Sequence, residues 1–184
     1  MILQRTFQIN AILLGAFSLW VLLQPKLNLL LFLIPFVSCL KYLYYTTKKN
    51  DAEPSAEVNY MAWGITTPIM LYLILSLNQI PMAQILGLLL LDIYMIATGY
   101  LGEVSGGSRK MSWFVLGCIA FAPILYALLG VSKGFFLAIL TIITWSLFPV
   151  VWWLRETNQI SPEQRSLAYS FLDLTSKGGF ILLF

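Results

Sequence analysis

Apolar positions along this chain come in long runs, separated by short breaks that are polar or contain proline and glycine. Seven such runs are predicted as helices, at 7–23, 27–45, 59–78, 82–102, 112–130, 134–154 and 164–184. Each is near the ~20 residues that a helix needs to cross the hydrocarbon core of a bilayer. The breaks at Gln24-Pro25-Lys26, Asn78 to Pro81 and Val131 to Lys133 are too short for consecutive helices to run parallel. The expected fold is therefore all-α: a seven-transmembrane helix bundle, up and down in sequence order, with residues 1–184 as a single membrane domain. The first run is followed by a second apolar run and not by a small-residue cleavage site. It reads as a membrane helix and not as a leader. The chain ends soon after Lys177, so the expectation is that any charged tail beyond the last helix has been lost or never existed.

Composition agrees with the pattern. Hydrophobic residues make up 59% and charged residues 10%, and the mean hydropathy is +0.83. A water-facing surface needs about 25% charged residues, so most of this surface is expected to face lipid or other helices. The net charge of +3 gives no reason to invoke nucleic acid. Histidine is absent, which removes the usual proton shuttle and the commonest metal ligand; no metal site and no enzyme active site are expected. Cys39 and Cys118 lie inside apolar runs and read as small buried hydrophobes, with no disulfide inferred.

Four ionisable residues stand inside the runs: Lys41, Asp92, Asp173 and Lys177. A charge in the bilayer is costly unless paired, so each is a candidate functional residue. Asp173 and Lys177 are four apart, on one face of the last helix, where a carboxylate can compensate a cation. A purely structural ion pair is the competing reading. Segment six reads Trp145-Ser-Leu-Phe148-Pro149-Val-Val-Trp152-Trp153, with Trp145, Phe148 and Trp152 at helical spacing. Segment three carries Trp63, Thr66, Thr67 and Pro68. Such stripes more often serve packing. Together with a buried lysine, they point to an elongated apolar ligand whose carbonyl reacts with an amine.

These segments resemble the microbial (type 1) rhodopsins, closest in pattern to bacteriorhodopsin- and proteorhodopsin-like proteins. Leu172-Asp173-Leu-Thr-Ser-Lys177 is similar to the family's attachment motif. The resemblance implies retinal, all-trans in the dark, bound covalently as a Schiff base on Lys177 with Asp173 as counterion. Tyr60-Met-Ala-Trp63-Gly-Ile-Thr66-Thr67-Pro68 is similar to the third-helix motif, and segment six to the Trp-x-x-aromatic-Pro-x-x-Trp pattern. Asp92-Ile-Tyr-Met95-Ile-Ala-Thr-Gly99 is similar to the helix that covers the retinal ring, its carboxylate bonding to a threonine like Thr67. Pro35 and Tyr42 fall where the second helix has its own proline and tyrosine. Carried over residue by residue, the retinal site would include Trp63, Thr67, Met70, Asp92, Met95 and Gly99. It would also include Gly117, Phe121, Trp145, Phe148, Pro149 and Trp152, with Trp63 and Trp145 on either side of the polyene. Phe148 stands where many relatives have tyrosine, so a hydroxyl near Asp173 is expected to be missing.

The departures bear on function. Where proton-pumping relatives have an acceptor aspartate, this chain has Ala62; their arginine is Asn59 and their donor carboxylate is Leu73. An ordinary outward proton pump is therefore not expected. Lys41 precedes Tyr42 where proteorhodopsins carry histidine. Pointing inward, it would weaken the hold on the Schiff-base proton and give a near-ultraviolet pigment, or it would join Thr66 and Lys177 in binding an anion. Pointing outward, it would snorkel to the interface. The resemblance implies a photoreceptor; the alternatives are a light-driven transporter, of anions above all, and a retinal carrier. The expected partners are retinal, the lipid bilayer and further copies of the chain, with an anion added under the transporter reading.

Orientation divides the two lines of reasoning. Arg5, Lys48, Lys49, Arg109, Lys110, Arg155 and Arg165 fall on one side, and Lys26 and Lys133 on the other. The positive-inside rule puts the amino terminus in the cytoplasm, whereas the family resemblance puts it outside.

Overall fold

The computed structural model describes residues 2–48 and 54–184. Lys49, Asp51 and Glu53, charged residues of the loop from Thr46 to Glu57, lie outside the described residues. The described residues form seven α-helices and no strand: α1 (Ile2–Leu22), α2 (Leu29–Thr47), α3 (Ala56–Ser76), α4 (Met82–Val104), α5 (Ser108–Leu129), α6 (Phe135–Glu156) and α7 (Pro162–Leu183). Every predicted helix is present. Six of them are long and apolar enough to cross a membrane. The seventh carries Glu163, Arg165, Asp173 and Lys177, which lower its hydropathy without shortening it.

The ends of these helices follow from local chemistry. Asn28 caps α2, its Oδ1 accepting the Leu31 N–H at 3.1 Å. At the start of α7, Ser161 Oγ accepts from the Gln164 N–H at 3.1 Å while Gln164 Oε1 accepts from the Ser161 N–H at 2.7 Å. This reciprocal box satisfies two donors that the first turn would leave unpaired, and Pro162 fits the first helical position because its missing N–H is not needed there. Pro35, Pro68, Pro123 and Pro149 lie within continuous helices. Neighbouring helices and hydroxyls can satisfy the carbonyls that such prolines leave free in a membrane.

The chain divides into two compact units. One comprises Met1–Pro54 and Ile139–Phe184, the other Ser55–Ala138. In the first unit, α1 packs on α2 and α7 through close approaches at small residues. A Cβ added to Gly178 would come within 2.8 Å of the Phe17 ring, and one added to Gly15 within 3.4 Å of Cys39 Sγ. Polar bonds cross the same seams: Gln4 Nε2 donates to the Thr46 carbonyl and Asn10 Nδ2 to the Ser170 carbonyl, each at 2.8 Å. Ile12, Leu19 and Phe171 are exposed, as lipid-facing positions are. Cys118 is exposed too, against the expectation that it is buried; lipid accepts a thiol as readily as a packed interior does.

In the second unit, α4 packs on α3 and α5. Two of the unit's connections are held together by one side chain. Asn78 Oδ1 accepts the N–H groups of Ser132 and Lys133 at 3.2 and 3.1 Å, and Nδ2 donates to the Lys133 carbonyl at 3.1 Å. The turn after α3 is thereby tied to the turn after α5. Gly134, beside this contact, has φ of 73°, a conformation that glycine adopts without strain.

Candidate functional site

In the first unit, Lys41 and Lys177 converge on Asp173, which has no exposed surface. One turn along α7, Lys177 Nζ donates to Asp173 Oδ1 at 2.5 Å. From α2, Lys41 Nζ donates to Oδ2, and the Tyr42 hydroxyl donates to the same oxygen at 3.0 Å. Lys41 reaches it by folding over its neighbour, with Nζ 4.5 Å from the centre of the Tyr42 ring. Lys41 is 4% exposed and Lys177 2%. Lys41 therefore points inward and does not snorkel. Tyr42 supplies a hydroxyl to Asp173 that Phe148 cannot; Phe148 packs on Tyr169 instead, ring centres 5.5 Å apart.

This cluster has the chemistry of a site. A carboxylate buried with its oxygens on two amines and a phenol is stable only while a cation stays beside it, since losing both amines would leave an uncompensated charge. Asn10 on α1 steadies α7 one turn before the carboxylate through its bond to the Ser170 carbonyl. Nothing in the family motifs pointed to Asn10; an amide set within a mostly apolar run is the signal that could have. Ser38, one turn before Lys41 on α2, is fully buried and its hydroxyl has no partner among the described residues.

The second unit holds another buried carboxylate. Asp92 Oδ2 lies 2.8 Å from Thr67 Oγ1, which is also 3.0 Å from the Trp63 carbonyl. Asp92 Oδ1 has no partner among the described residues. Thr66 turns back to the Ala62 carbonyl at 2.9 Å, and Asn59, Ala62 and Thr66 are all buried. The two glycines assigned by resemblance sit at close approaches within this unit: a Cβ on Gly99 would come within 2.8 Å of the Tyr60 ring, and one on Gly117 within 3.1 Å of Thr98 Oγ1. Trp63, Met70 and Phe121 are buried and Met95 is half-buried. In the first unit, Trp145 and Trp152 are buried, while Phe148 and Pro149 are half-buried. Among the described residues, no group of His, Cys, Asp or Glu could hold a metal ion.

The sequence pattern of the family described as bacteriorhodopsin-like protein matches residues 2–184. The chain belongs to that family. The opsin-like protein carO of Fusarium fujikuroi is 33% identical over 135 residues, 66% of this chain and 44% of that protein. The halorhodopsin of Natronomonas pharaonis is 30% identical over 139 residues, 67% of this chain and 48% of its own length. The matched part thus spans about half the length of these relatives. Among solved structures, a cyanorhodopsin from the cyanobacterium Calothrix superposes with a TM-score of 0.87 at 22% identity, covering 98% of this chain and 92% of its own. A proton pumping rhodopsin from the marine alga Acetabularia acetabulum gives 0.84 at 22% identity, covering 100% and 91%. The resemblance to microbial rhodopsins read from the motifs is borne out, and so is the seven-transmembrane helical fold. The protein is an integral membrane protein of a family whose members bind retinal.

Proposed function

We propose that this protein is a retinal-binding, light-absorbing membrane protein, a photoreceptor with retinal attached as a Schiff base at Lys177 and Asp173 as counterion. The observation that carries the reading is the buried Lys177 amine, 2.5 Å from a carboxylate with no exposed surface. An amine desolvated in this way is suited to condense with an aldehyde, and the carboxylate stands ready to compensate the cation that results. Retinal, when bound, supplies a conjugated chain that absorbs light and isomerises. The protein's own part is to fix the nitrogen, keep water from it, and hold its proton. Asp173 does the holding, Tyr42 orients Asp173 Oδ2, and Asn10 restrains α7 through Ser170. The aromatic and small residues assigned by resemblance are proposed to contact retinal from within their respective units.

Ala62, Asn59 and Leu73 stand where pumping relatives carry ionisable groups, which supports light sensing over outward proton pumping. A second reading, light-driven anion transport, is favoured by the 30% identity to halorhodopsins and by the lack of a carboxylate at Ala62. Incubation with all-trans retinal, borohydride reduction and peptide mass analysis test the attachment. Retinyl on the peptide containing Lys177 is expected; its absence from every lysine would overturn the proposal. A chloride-dependent shift of the absorption band would move the assignment to the anion reading.

A further inference from the structure

Asp173 has two oxygens and an amine on each. Lys177 approaches Oδ1 along α7, and Lys41 approaches Oδ2 from α2. Both amines are almost wholly buried. With both protonated, two cations would face one carboxylate away from water, leaving an uncompensated charge in a medium that penalises it. With one proton fewer, the three groups sum to zero. Neither of two neutral neighbours changes this sum: Tyr42 on α2 donates as a phenol, and α1 contributes the amide of Asn10 one turn away.

We infer that Asp173 holds a single proton in common for the nitrogens of Lys41 and Lys177, so that the cluster works as an internal proton switch. The transfer needs nothing from outside. The N–H bond on Lys177 breaks as an O–H bond forms on Asp173 Oδ1. A half-turn of the carboxyl about Cβ–Cγ then presents that hydrogen to Lys41, where a new N–H bond forms and the carboxylate is restored. Lys41 thus serves as the proton partner that Ala62 cannot be. With the proton on the Lys177 nitrogen the pigment is visible-absorbing, and with the proton on Lys41 it is near-ultraviolet-absorbing. The optical part of this inference rests on retinal attachment at Lys177, whereas the sharing of the proton does not.

Two experiments on the full chain in lipid discs test it. In the retinal-free protein, solid-state NMR with 15N-lysine is expected to show a neutral lysine amine that disappears in both Lys41→Met and Lys177→Ala, because the remaining amine then keeps the proton for itself. A neutral amine missing from the unmodified protein, or surviving either substitution, would overturn the inference. With all-trans retinal bound, the visible-to-near-ultraviolet ratio is expected to change less than about twofold between about pH 5.5 and 8.5, whereas a proton exchanged with the medium would change it about tenfold per unit. Lys41→Met is expected to lose the near-ultraviolet band. Lys41→Arg, whose guanidinium does not give up its proton, is expected to lose the visible one. A ratio that follows the medium, or an unchanged ratio in Lys41→Arg, refutes the switch; Lys41→Gln stands in should the methionine variant fail to fold. Failure to take up retinal would sink the proposed function and leave the NMR result to decide the proton sharing.

Discussion

The geometry around Asp173 makes an unusual demand on mutational energetics: removing a second residue should repair the damage from removing the first. Asp173→Asn keeps the size of the side chain and an acceptor for the Tyr42 hydroxyl, but strips the charge from between two buried amines. Breaking a buried ion pair from one side costs about 3–5 kcal/mol. The lower end is expected here, because an amine that has lost its carboxylate can release its proton instead of staying charged. Lys41→Met alone should cost no more than about 1 kcal/mol, since Asp173 keeps Lys177 and the Tyr42 phenol while the packing volume is retained. The double variant removes both the carboxylate and one orphaned amine, and should be more stable than Asp173→Asn by about 1–2 kcal/mol. Hydrogen-bond pairs in membrane helices couple by about 0.6 kcal/mol on average, so a coupling above 1 kcal/mol marks a charge bridge. Unfolding of the retinal-free protein by SDS in mixed micelles gives the four free energies. Effects that add to within about 0.5 kcal/mol would refute a shared carboxylate.

Three further outcomes follow from other parts of the structure. The Thr67 hydroxyl has one hydrogen and two acceptors in range, the Trp63 carbonyl and Asp92 Oδ2, so Asp92 is expected to carry the proton for that contact; a protonated-carboxyl infrared band should vanish in Asp92→Asn and shift in Thr67→Val, and no difference between Asp92→Asn and the unmodified protein would contradict it. Gly178→Ala places a methyl within 2.8 Å of the Phe17 ring and should cost about 1–3 kcal/mol by overpacking, whereas Gly87→Ala, which meets nothing within 4 Å, should be neutral or stabilising in the same SDS assay. The basic residues Arg5, Lys48, Arg109, Lys110, Arg155 and Arg165 predict that a cysteine placed at Ser55 is labelled from the cytoplasmic side; labelling from outside would restore the family's usual orientation.

Much of the fold was legible because the bilayer imposes a length on every apolar run. Boundaries were less legible where a helix continues beyond its apolar stretch. α1 begins at Ile2, five residues before its predicted start, because the helix satisfies Thr6 through the Ile2 carbonyl at 3.1 Å and Gln4 bonds α2. The pairing of Asp173 with Lys177 could be read directly, since both lie on one helix and spacing sets their faces. The direction of Lys41 could not: it depends on how α2 is rotated against α7, and local sequence does not encode that angle. The Asn10 contact to Ser170 was hidden for the same reason, being a bond between the first helix and the last. The pairing of Asp92 with Thr67 was visible only through the family motif, because nothing in their own spacing joins residues on different helices.

The Asn78 side chain has a consequence for anyone who would modify this protein. By bonding to Ser132 and Lys133, it makes two turns that are distant in sequence into one cross-braced joint. An epitope tag, a fluorescent insert or a circular-permutation break in either turn would therefore disturb the other as well. Inserts placed elsewhere would leave that joint closed, which makes Asn78 a guide to where the chain should not be cut.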